Sequence, residues 1–256
     1  MEGSRTYGSA DDAGRRELLP TGTLRAGVVA APAPSALFVT LDEASRIYKG
    51  VTVDLVTELA RQMHSPLEIT GFANSGDCTQ ALETGRIDVS FMPVDDERSR
   101  RVAFGPAYYI LESTYLVSHA SGIVDLTGVD HDRVRVVGIA NTTTIRSAAR
   151  TLCHTAPVAV STIAEAVERL RSGNADALAL SRDAFQTLLP LLPGARILDG
   201  GFQSTGIAIA VGREKPMALS IVSEFMEKAK RSGLVRRALD SAGFANEPVA
   251  PAVVTP

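Results

Sequence analysis

A run of charged residues that ends abruptly in an apolar segment is the feature of this chain best suited to chemistry. Residues 95–101 read DDERSRR, and residues 102–109 read VAFGPAYY. Such a junction predicts an arginine fixed at the edge of a core, where its guanidinium can bind a carboxylate through two parallel hydrogen bonds. Arg98 is the candidate. The alternative is that Arg98, like Arg100 and Arg101, is a solvated surface arginine.

A second candidate is the polar sequence NTTT at residues 141–144, which follows a predicted strand at 134–139 and opens a predicted helix at 145–153. Backbone N–H groups and a hydroxyl at the start of a helix favour the binding of an anion. Threonine in this place is also a good N-cap. The two interpretations are compatible, and both involve Thr142, Thr143 and Thr144.

Other chemistries lack the required spacing. No pair of histidines has the spacing of metal ligands on a helix face. The four histidines are His64, His119, His131 and His154. The acidic residues at 95–97 lack the glycine and the alternation of a calcium loop. Nucleophile-elbow and phosphate-binding glycine motifs are not found. The sequence therefore predicts no catalytic residue, no metal site and no cofactor.

Composition limits the possible partners. The 256 residues carry a net charge of −3, are 45% hydrophobic and contain no tryptophan. A negative chain with few aromatics is a poor partner for nucleic acid. No apolar run approaches the roughly 20 residues of a membrane span. Cys78 and Cys153 predict two small buried thiols, although a disulfide between them stays open.

Strands alternate with helices twice along the chain, before and after about residue 112. This alternation predicts two α/β lobes with mostly parallel sheets and helices on both faces. Ligands of such sheets bind at the carboxyl ends of the strands, and a cleft between lobes is the default site. We expect residues 1–21 to be a disordered leader and residues 246–256 an irregular tail.

Four segments in order then suggest a family. They are LRAGV at 24–28, YKGVTVDL at 48–55, ALETGRID at 81–88, and the pair ER at 97–98 followed by VAFGPAYY. This ordered set resembles the bacterial extracellular solute-binding proteins, family 3, which serve amino-acid ABC transporters and have the type II periplasmic-binding fold. The resemblance covers residues 23 to 245.

The resemblance implies a two-lobed α/β fold with a ligand cleft between the lobes. Lobe 1 would comprise residues 22–107 and 207–245, and lobe 2 residues 113–202, with hinge crossovers at 108–112 and 203–206. It also implies a monomer that binds a small anionic ligand and passes it to the membrane subunits of a transporter. The protein would be periplasmic, as a mature form that lacks its signal. A cytoplasmic location is the alternative.

In the family pattern, Arg98 takes the position that binds the ligand carboxylate, and Thr143, with Thr142 and Thr144, closes from the second lobe. Pro93 stands where the family commonly has Thr or Ser. Ser181 stands where the family places the acid that holds an ammonium group. Asp183, two residues further on, could substitute for that acid, although it is better suited to cap or start the following helix, near the positive helix end.

Aromatic side chains are sparse around the expected pocket. After the first strand only Phe38 could stack on a ligand, and Phe91 is the further aromatic candidate. With Pro93 and Ser181, this predicts a carboxylate ligand without a conventional α-ammonium, such as a non-standard amino acid or an organic acid.

Two other functions stay open. Cyclohexadienyl dehydratases resemble these receptors, so an enzyme on the same fold is one alternative, although no acid stands at a recognisable pocket position. A soluble module that senses a ligand and reports it to a partner is the other.

Overall fold

A computed structural model of the protein describes residues 7–31 and 34–252. The contacts divide the chain into unit 1, Met1–Ile110 with Gly206–Pro256, and unit 2, Leu111–Thr205. These boundaries fall inside the two crossovers expected from the sequence; their action as hinges stays a prediction. In the described part of the chain, every helix is too short or too polar to span a bilayer.

The helices of the described residues follow in chain order. They are α1 (Tyr7–Leu18), α2 (Val51–Gln62), α3 (Ser75–Glu83), α4 (Asp96–Ser99), α5 (Thr143–Thr151), α6 (Ile163–Arg171), α7 (Arg182–Leu188), α8 (Pro216–Arg231) and α9 (Leu234–Ser241). The strands are β1 (Leu24–Val29), β2 (Thr40–Asp42), β3 (Ile47–Lys49), β4 (Leu67–Phe72), β5 (Val89–Pro93), β6 (Val102–Val117), β7 (Val136–Ile139), β8 (Val158–Val160), β9 (Ala177–Ser181), β10 (Arg196–Ile197) and β11 (Gln203–Gly212). The chain passes between the units within β6 and within β11.

In unit 1, β1 pairs in parallel with β4 on one side and β5 on the other, and β11 pairs antiparallel with β5. Apolar side chains of α3 pack with those of β1 and β5 in a buried cluster that includes Val29, Cys78, Leu82 and Met92. This packing fixes the carboxyl end of β5, which is the strand end that precedes Arg98.

In unit 2, β7 pairs in parallel with β8 and β9, and β9 pairs antiparallel with β6. Because side chains alternate across a strand, Ala177 and Ala179 face a cluster that contains Ala148 of α5. Leu178 and Leu180 face the opposite cluster, which contains residues of α6 and α7. Helices therefore cover both faces of this sheet, as the alternation predicts.

The expectation of mostly parallel sheets is only partly right, because β5–β11 and β6–β9 are antiparallel. Parallel neighbours need a crossover connection. Strands β6 and β11 instead belong to the segments that link the two units. They are therefore not joined to their neighbours by such crossovers, and they pair antiparallel with β9 and β5.

The expected disordered leader is wrong for residues 7–18, which form α1; residues 1–6 lie outside the described residues. Leu18 is fully buried, and the Glu17 carboxylate accepts hydrogen bonds from the backbone N–H groups of Met217 (2.8 Å) and Ala218 (2.9 Å) at the start of α8. This contact between distant parts of the chain orders a segment that looks solvated in sequence.

The tail is irregular, as expected, but it is docked. Val249 forms a bridge with Tyr109, and the Ala250 N–H donates to the Tyr108 carbonyl at 2.9 Å. The Tyr109 hydroxyl donates to Glu247 Oε2 at 2.7 Å. The segment therefore covers β6 just before the chain leaves unit 1. Residues 253–256 of the expected tail lie outside the described residues.

Both cysteines are free thiols. Cys78 is buried, as predicted, but the prediction is wrong for Cys153, which is exposed. The Cys153 N–H donates to the Asp130 carboxylate (2.9 Å to Oδ1) in the loop after α5, and this leaves the Cys153 side chain outside the core.

Candidate functional site

Arg98 lies in the short helix α4, which begins because the Asp95 carboxylate caps it by accepting the Arg98 N–H at 2.8 Å. The Arg98 side chain is only 3% exposed. Its Nη1 donates to the Pro93 carbonyl at 3.0 Å, and its Nη2 donates to Ser75 Oγ at 2.8 Å. Asp95 Oδ2 lies 3.8 Å from Nη1. The guanidinium is therefore held in one orientation by three neighbours of unit 1.

The alternative of a solvated Arg98 is wrong, whereas it holds for Arg100, which is exposed. Arg101 pairs at the surface with Glu83, at 2.6 Å between Nη2 and Oε2. The charged run thus contains one buried arginine and two outer ones. A ligand role for Arg98 stays a prediction.

Ser75 is a residue of this site that sequence reasoning missed. It is the first residue of α3 and is 6% exposed. The helix begins earlier than the apolar pattern indicates, because the Asn74 side chain caps it by accepting the Asp77 N–H at 3.0 Å. An Asn before a helix is a recognisable N-cap signal, so the helix start could have been found. The contact of Ser75 with Arg98 could not.

Pro93 ends β5 and is buried. It has no hydroxyl and no N–H to offer a ligand, and its carbonyl holds Arg98 instead. Phe91 is 2% exposed and packs edge-on against Tyr108, with 5.7 Å between ring centroids. Phe38 is half-buried against the apolar cluster of α3. Both aromatics thus have packing roles within unit 1, and their contact with a ligand stays a prediction.

In unit 2, Thr142 is the N-cap of α5. Its Oγ1 accepts the Ile145 N–H at 3.2 Å and donates to the Ile139 carbonyl at 2.8 Å. The capping role is therefore confirmed for Thr142. Thr143 and Thr144 are 2% and 8% exposed, and Thr144 Oγ1 lies 3.2 Å from Ser113 Oγ.

Ser181 ends β9, where it lies opposite Ser113 of β6 in the strand register. It is 3% exposed, and its Oγ has no hydrogen-bond partner among the residues that the structure describes. It occupies the N-cap position of α7 without a side-chain capping bond. Ser113, a residue that sequence reasoning missed, thus lies close to both Thr144 and Ser181.

Two carboxylates stand near these hydroxyls in the chain, Glu112 directly before Ser113 and Asp183 two residues after Ser181. Glu112 is bound by Arg182, with 2.8 Å between Nε and Oε1, and Arg182 also donates to the carbonyls of Leu198 and Gly200. Asp183, in the first turn of α7, is 2% exposed and has interactions of its own within the protein.

Within the described ranges, no group of three or more His, Cys, Asp or Glu side chains could hold a metal ion. A cavity of about 400 Å³ in unit 1 is lined by α1, α2 and α8, with Arg15, Met63 and Phe225 among its walls. It contains none of the predicted site residues.

Solved structures with the same fold cover nearly the whole chain. A mutant of ArgBP from T. maritima is 24% identical, covering 90% of this chain and 99% of that one with a TM-score of 0.76. An amino acid ABC transporter substrate-binding protein from Streptococcus pneumoniae, bound to L-arginine, is 19% identical, with coverages of 93% and 99% and a TM-score of 0.75.

An ancestral amino acid-binding protein, described as a precursor of cyclohexadienyl dehydratase, is 24% identical, with coverages of 89% and 98% and a TM-score of 0.75. At these identities the similarity shows the two-lobed α/β fold, as the sequence predicts. No curated protein matches the chain significantly.

The family model for bacterial extracellular solute-binding proteins, family 3, matches residues 27–241, which is most of the chain. This match confirms the resemblance inferred from the four ordered segments. The chain therefore belongs to the bacterial extracellular solute-binding proteins of family 3.

Proposed function

We propose that this protein is the solute receptor of an ABC transporter and captures a small metabolite that bears a carboxylate. The ligand would be an amino acid, a non-standard amino acid or an organic acid. The protein would act in the periplasm as a monomer and deliver the ligand to the membrane subunits of the transporter. Family membership supports the transport role, and the L-arginine bound to the similar Streptococcus pneumoniae protein supports an amino-acid-like ligand.

The observation that carries the proposal is the buried guanidinium of Arg98. Its contacts with Pro93, Ser75 and Asp95 fix the side chain before any ligand arrives. A preorganised group loses little conformational entropy on binding. Its planar donors suit a carboxylate better than the point charge of a lysine does.

Thr143 and its backbone neighbours at the start of α5 would supply the contacts from unit 2. A ligand that contacts Arg98 and Thr143 together favours whichever state of the protein allows both contacts. Release to the transporter requires that the other state stays accessible, since a ligand shifts this equilibrium only by its differential affinity.

Binding without chemistry is the function we propose. The enzyme alternative needs a carboxylic acid positioned to move a proton, and Glu112, the acid next to Ser113 in the chain, is already bound by Arg182. Incubation with prephenate or arogenate tests this point directly, and formation of product would contradict the proposal.

Calorimetric titration of Arg98→Lys tests the binding role. A panel of amino acids and organic acids is first screened on the unaltered protein by thermal shift. For the best ligand, Arg98→Lys should weaken binding about 10–100-fold, since a hydrogen bond to a charged group contributes about 1.5–3 kcal/mol. The control is Arg101→Lys, at the outer arginine of the same run, which should bind normally. Equal affinities of the two variants would contradict the proposal.

A further inference from the structure

We infer that Ser113, Thr144 and Ser181 form a hydroxyl cluster that binds an uncharged hydrogen-bonding group of the ligand. The receptor would then prefer a hydroxy acid to the amino acid of the same skeleton. This inference rests on the proposed function and names the class of ligand for the same site.

Strand register puts two of the hydroxyls on one face. Ser113 lies opposite Ser181, and Tyr115 lies opposite Ala179 two residues further along. Because side chains alternate across a strand, all four residues share the face on which Tyr115 and Ala179 pack with Ala148 of α5. The apolar face therefore ends in a layer of hydroxyls at the carboxyl end of β9.

The third hydroxyl comes from the first turn of α5. Thr144 Oγ1 lies 3.2 Å from Ser113 Oγ, so one of these hydroxyls donates to the other. All three residues are at least nine-tenths buried, with exposures of 0% for Ser113, 8% for Thr144 and 3% for Ser181.

Ser181 Oγ is the member that lacks a partner. Among the described residues no group forms a hydrogen bond with it, and it does not cap α7 although it occupies the N-cap position. A buried hydroxyl without a partner is unfavourable, so such groups are rare unless another molecule satisfies them. A polar group of the ligand fills this role.

The charges around the hydroxyl cluster determine which kind of ligand group can bind there. A hydroxyl both donates and accepts hydrogen bonds but cannot neutralise an ammonium. Burying an ammonium without a counterion is strongly unfavourable. Glu112 is engaged by Arg182, and it belongs to the opposite face of β6 from Ser113, because side chains alternate along a strand. Asp183 is buried two residues after Ser181 and has interactions within the protein, and the Asp183→Asn variant described below tests whether it acts as a counterion. A ligand hydroxyl therefore suits this place better than an ammonium.

Matched ligand pairs test the preference. L-lactate with L-alanine and L-malate with L-aspartate differ only in a hydroxyl or an ammonium on the same carbon. Calorimetry on the unaltered protein should give tighter binding of the hydroxy acid in whichever pair binds. Ser181→Ala should weaken the hydroxy acid about 5–10-fold, as expected for one lost hydrogen bond, without lowering the melting temperature of the free protein. Ser181→Asp should reverse the preference within the pair.

The control variant is Ser90→Ala. Ser90 is a buried serine of unit 1 whose Oγ donates to the Gly27 carbonyl at 2.8 Å. It should lower the melting temperature and leave the preference between hydroxy and amino acid unchanged. A further variant, Asp183→Asn, should leave the preference of the unaltered protein unchanged.

Three results would overturn the inference. Tighter binding of the amino acid, lost again in Asp183→Asn, would make Asp183 the counterion of an ammonium. A Ser181→Ala protein that binds normally but has a lower melting temperature would show that the hydroxyl has a structural role, for example in a hydrogen bond to an internal water. Both results leave the proposed function intact. Absence of binding by both pairs and by the whole panel of amino and organic acids would contradict the proposed function and this inference together.

Discussion

Asp88 and Asp176 hold equivalent positions in the two units, and each carboxylate binds the arginine at the start of a neighbouring strand. Arg25 donates to Asp88 from its backbone N (3.2 Å), Nε (2.9 Å) and Nη2 (2.7 Å). Arg135 donates to Asp176 from the same three atoms, at 2.8, 2.9 and 2.8 Å. In return, each aspartate N–H donates to the backbone carbonyl of its arginine. The two units therefore repeat one local motif.

The repeat extends to the chain before and after each aspartate. Three residues earlier, Gly85 (φ +68°) and Gly173 (φ +73°) end a helix in the left-handed conformation that glycine adopts most readily. Five residues later, the strands that follow end at Pro93 and Ser181. The carbonyl that holds Arg98 and the unpartnered hydroxyl of unit 2 thus belong to equivalent strand ends.

The two aspartates should differ in their contribution to stability. Asp88 is fully buried between Arg25 and Lys215, whereas Asp176 is 19% exposed and its partner Arg135 is 53% exposed. Hydrogen bonds from Arg135 lower the pKa of Asp176. We expect Asp88→Asn to lower the free energy of unfolding by about 2–4 kcal/mol and Asp176→Asn by about 1 kcal/mol. Urea denaturation measures both, and a larger loss in Asp176→Asn would refute the comparison.

The docked tail should stabilise unit 1. Deletion of residues 247–256 removes the partners of the Tyr108 carbonyl and the Tyr109 hydroxyl, and the Pro251 carbonyl that accepts from Lys230 Nζ at 2.9 Å. It also removes the Glu247 carbonyl that accepts from Arg236 Nη1 at 2.5 Å. With about 1 kcal/mol for each of these four hydrogen bonds, the free energy of unfolding should fall by about 4 kcal/mol. Deletion of 253–256 alone, which removes none of these contacts, is the control. Equal stability of the two truncated proteins would show that the contacts do not matter.

The two thiols should react at very different rates. Burial raises the pKa of Cys78 to about 12, so its reactive thiolate is scarce at neutral pH. Cys153 is exposed. Ellman's reagent at pH 7.5 should therefore titrate one thiol quickly in the native protein and two in guanidinium. Cys153→Ser should abolish the fast reaction, and a fast thiol that survives this substitution would contradict the structure.

Asp130 should make unit 2 sensitive to acid. Hydrogen bonds from backbone N–H groups, chiefly that of His154 and then that of Cys153, lower the pKa of Asp130 to about 2. Because this pKa lies below the unfolded value of about 3.9, its stabilisation is present above about pH 4 and is lost as the pH falls to about 2. Asp130→Asn should lower the melting temperature at pH 7, with a difference that disappears near pH 2. Asp132→Asn, at an outward-facing residue of the same loop, should change little. A difference that persists at pH 2 would contradict this assignment.

Sequence patterns with a local cause were predictable. The alternation of strands and helices indicated the two α/β units, and the junction of charged and apolar residues indicated a buried arginine at residue 98. Thr142 as an N-cap follows from its place between a strand and a helix. These features depend on neighbouring residues, whose chemistry is visible in the printed order.

Features with a distant cause were not predictable. The order of α1 depends on Glu17, which caps a helix 200 residues further along the chain. The contact of Ser75 with Arg98 spans 23 residues, and that of Ser113 with Thr144 spans 31. The exposure of Cys153 could not be predicted either, because it depends on the hydrogen bond from the Cys153 N–H to Asp130, 23 residues away in the chain. Such contacts join residues that are far apart in the chain and meet only in the folded protein.

A crystal structure of the protein with the tightest ligand from the screen, or with whatever ligand it retains after native purification, would show whether Arg98 binds the ligand. We expect a ligand carboxylate within about 3 Å of the Arg98 guanidinium, joined by two parallel hydrogen bonds. A ligand whose acid group binds elsewhere, with Arg98 still bound only to protein groups such as Pro93, Ser75 and Asp95, would contradict this expectation.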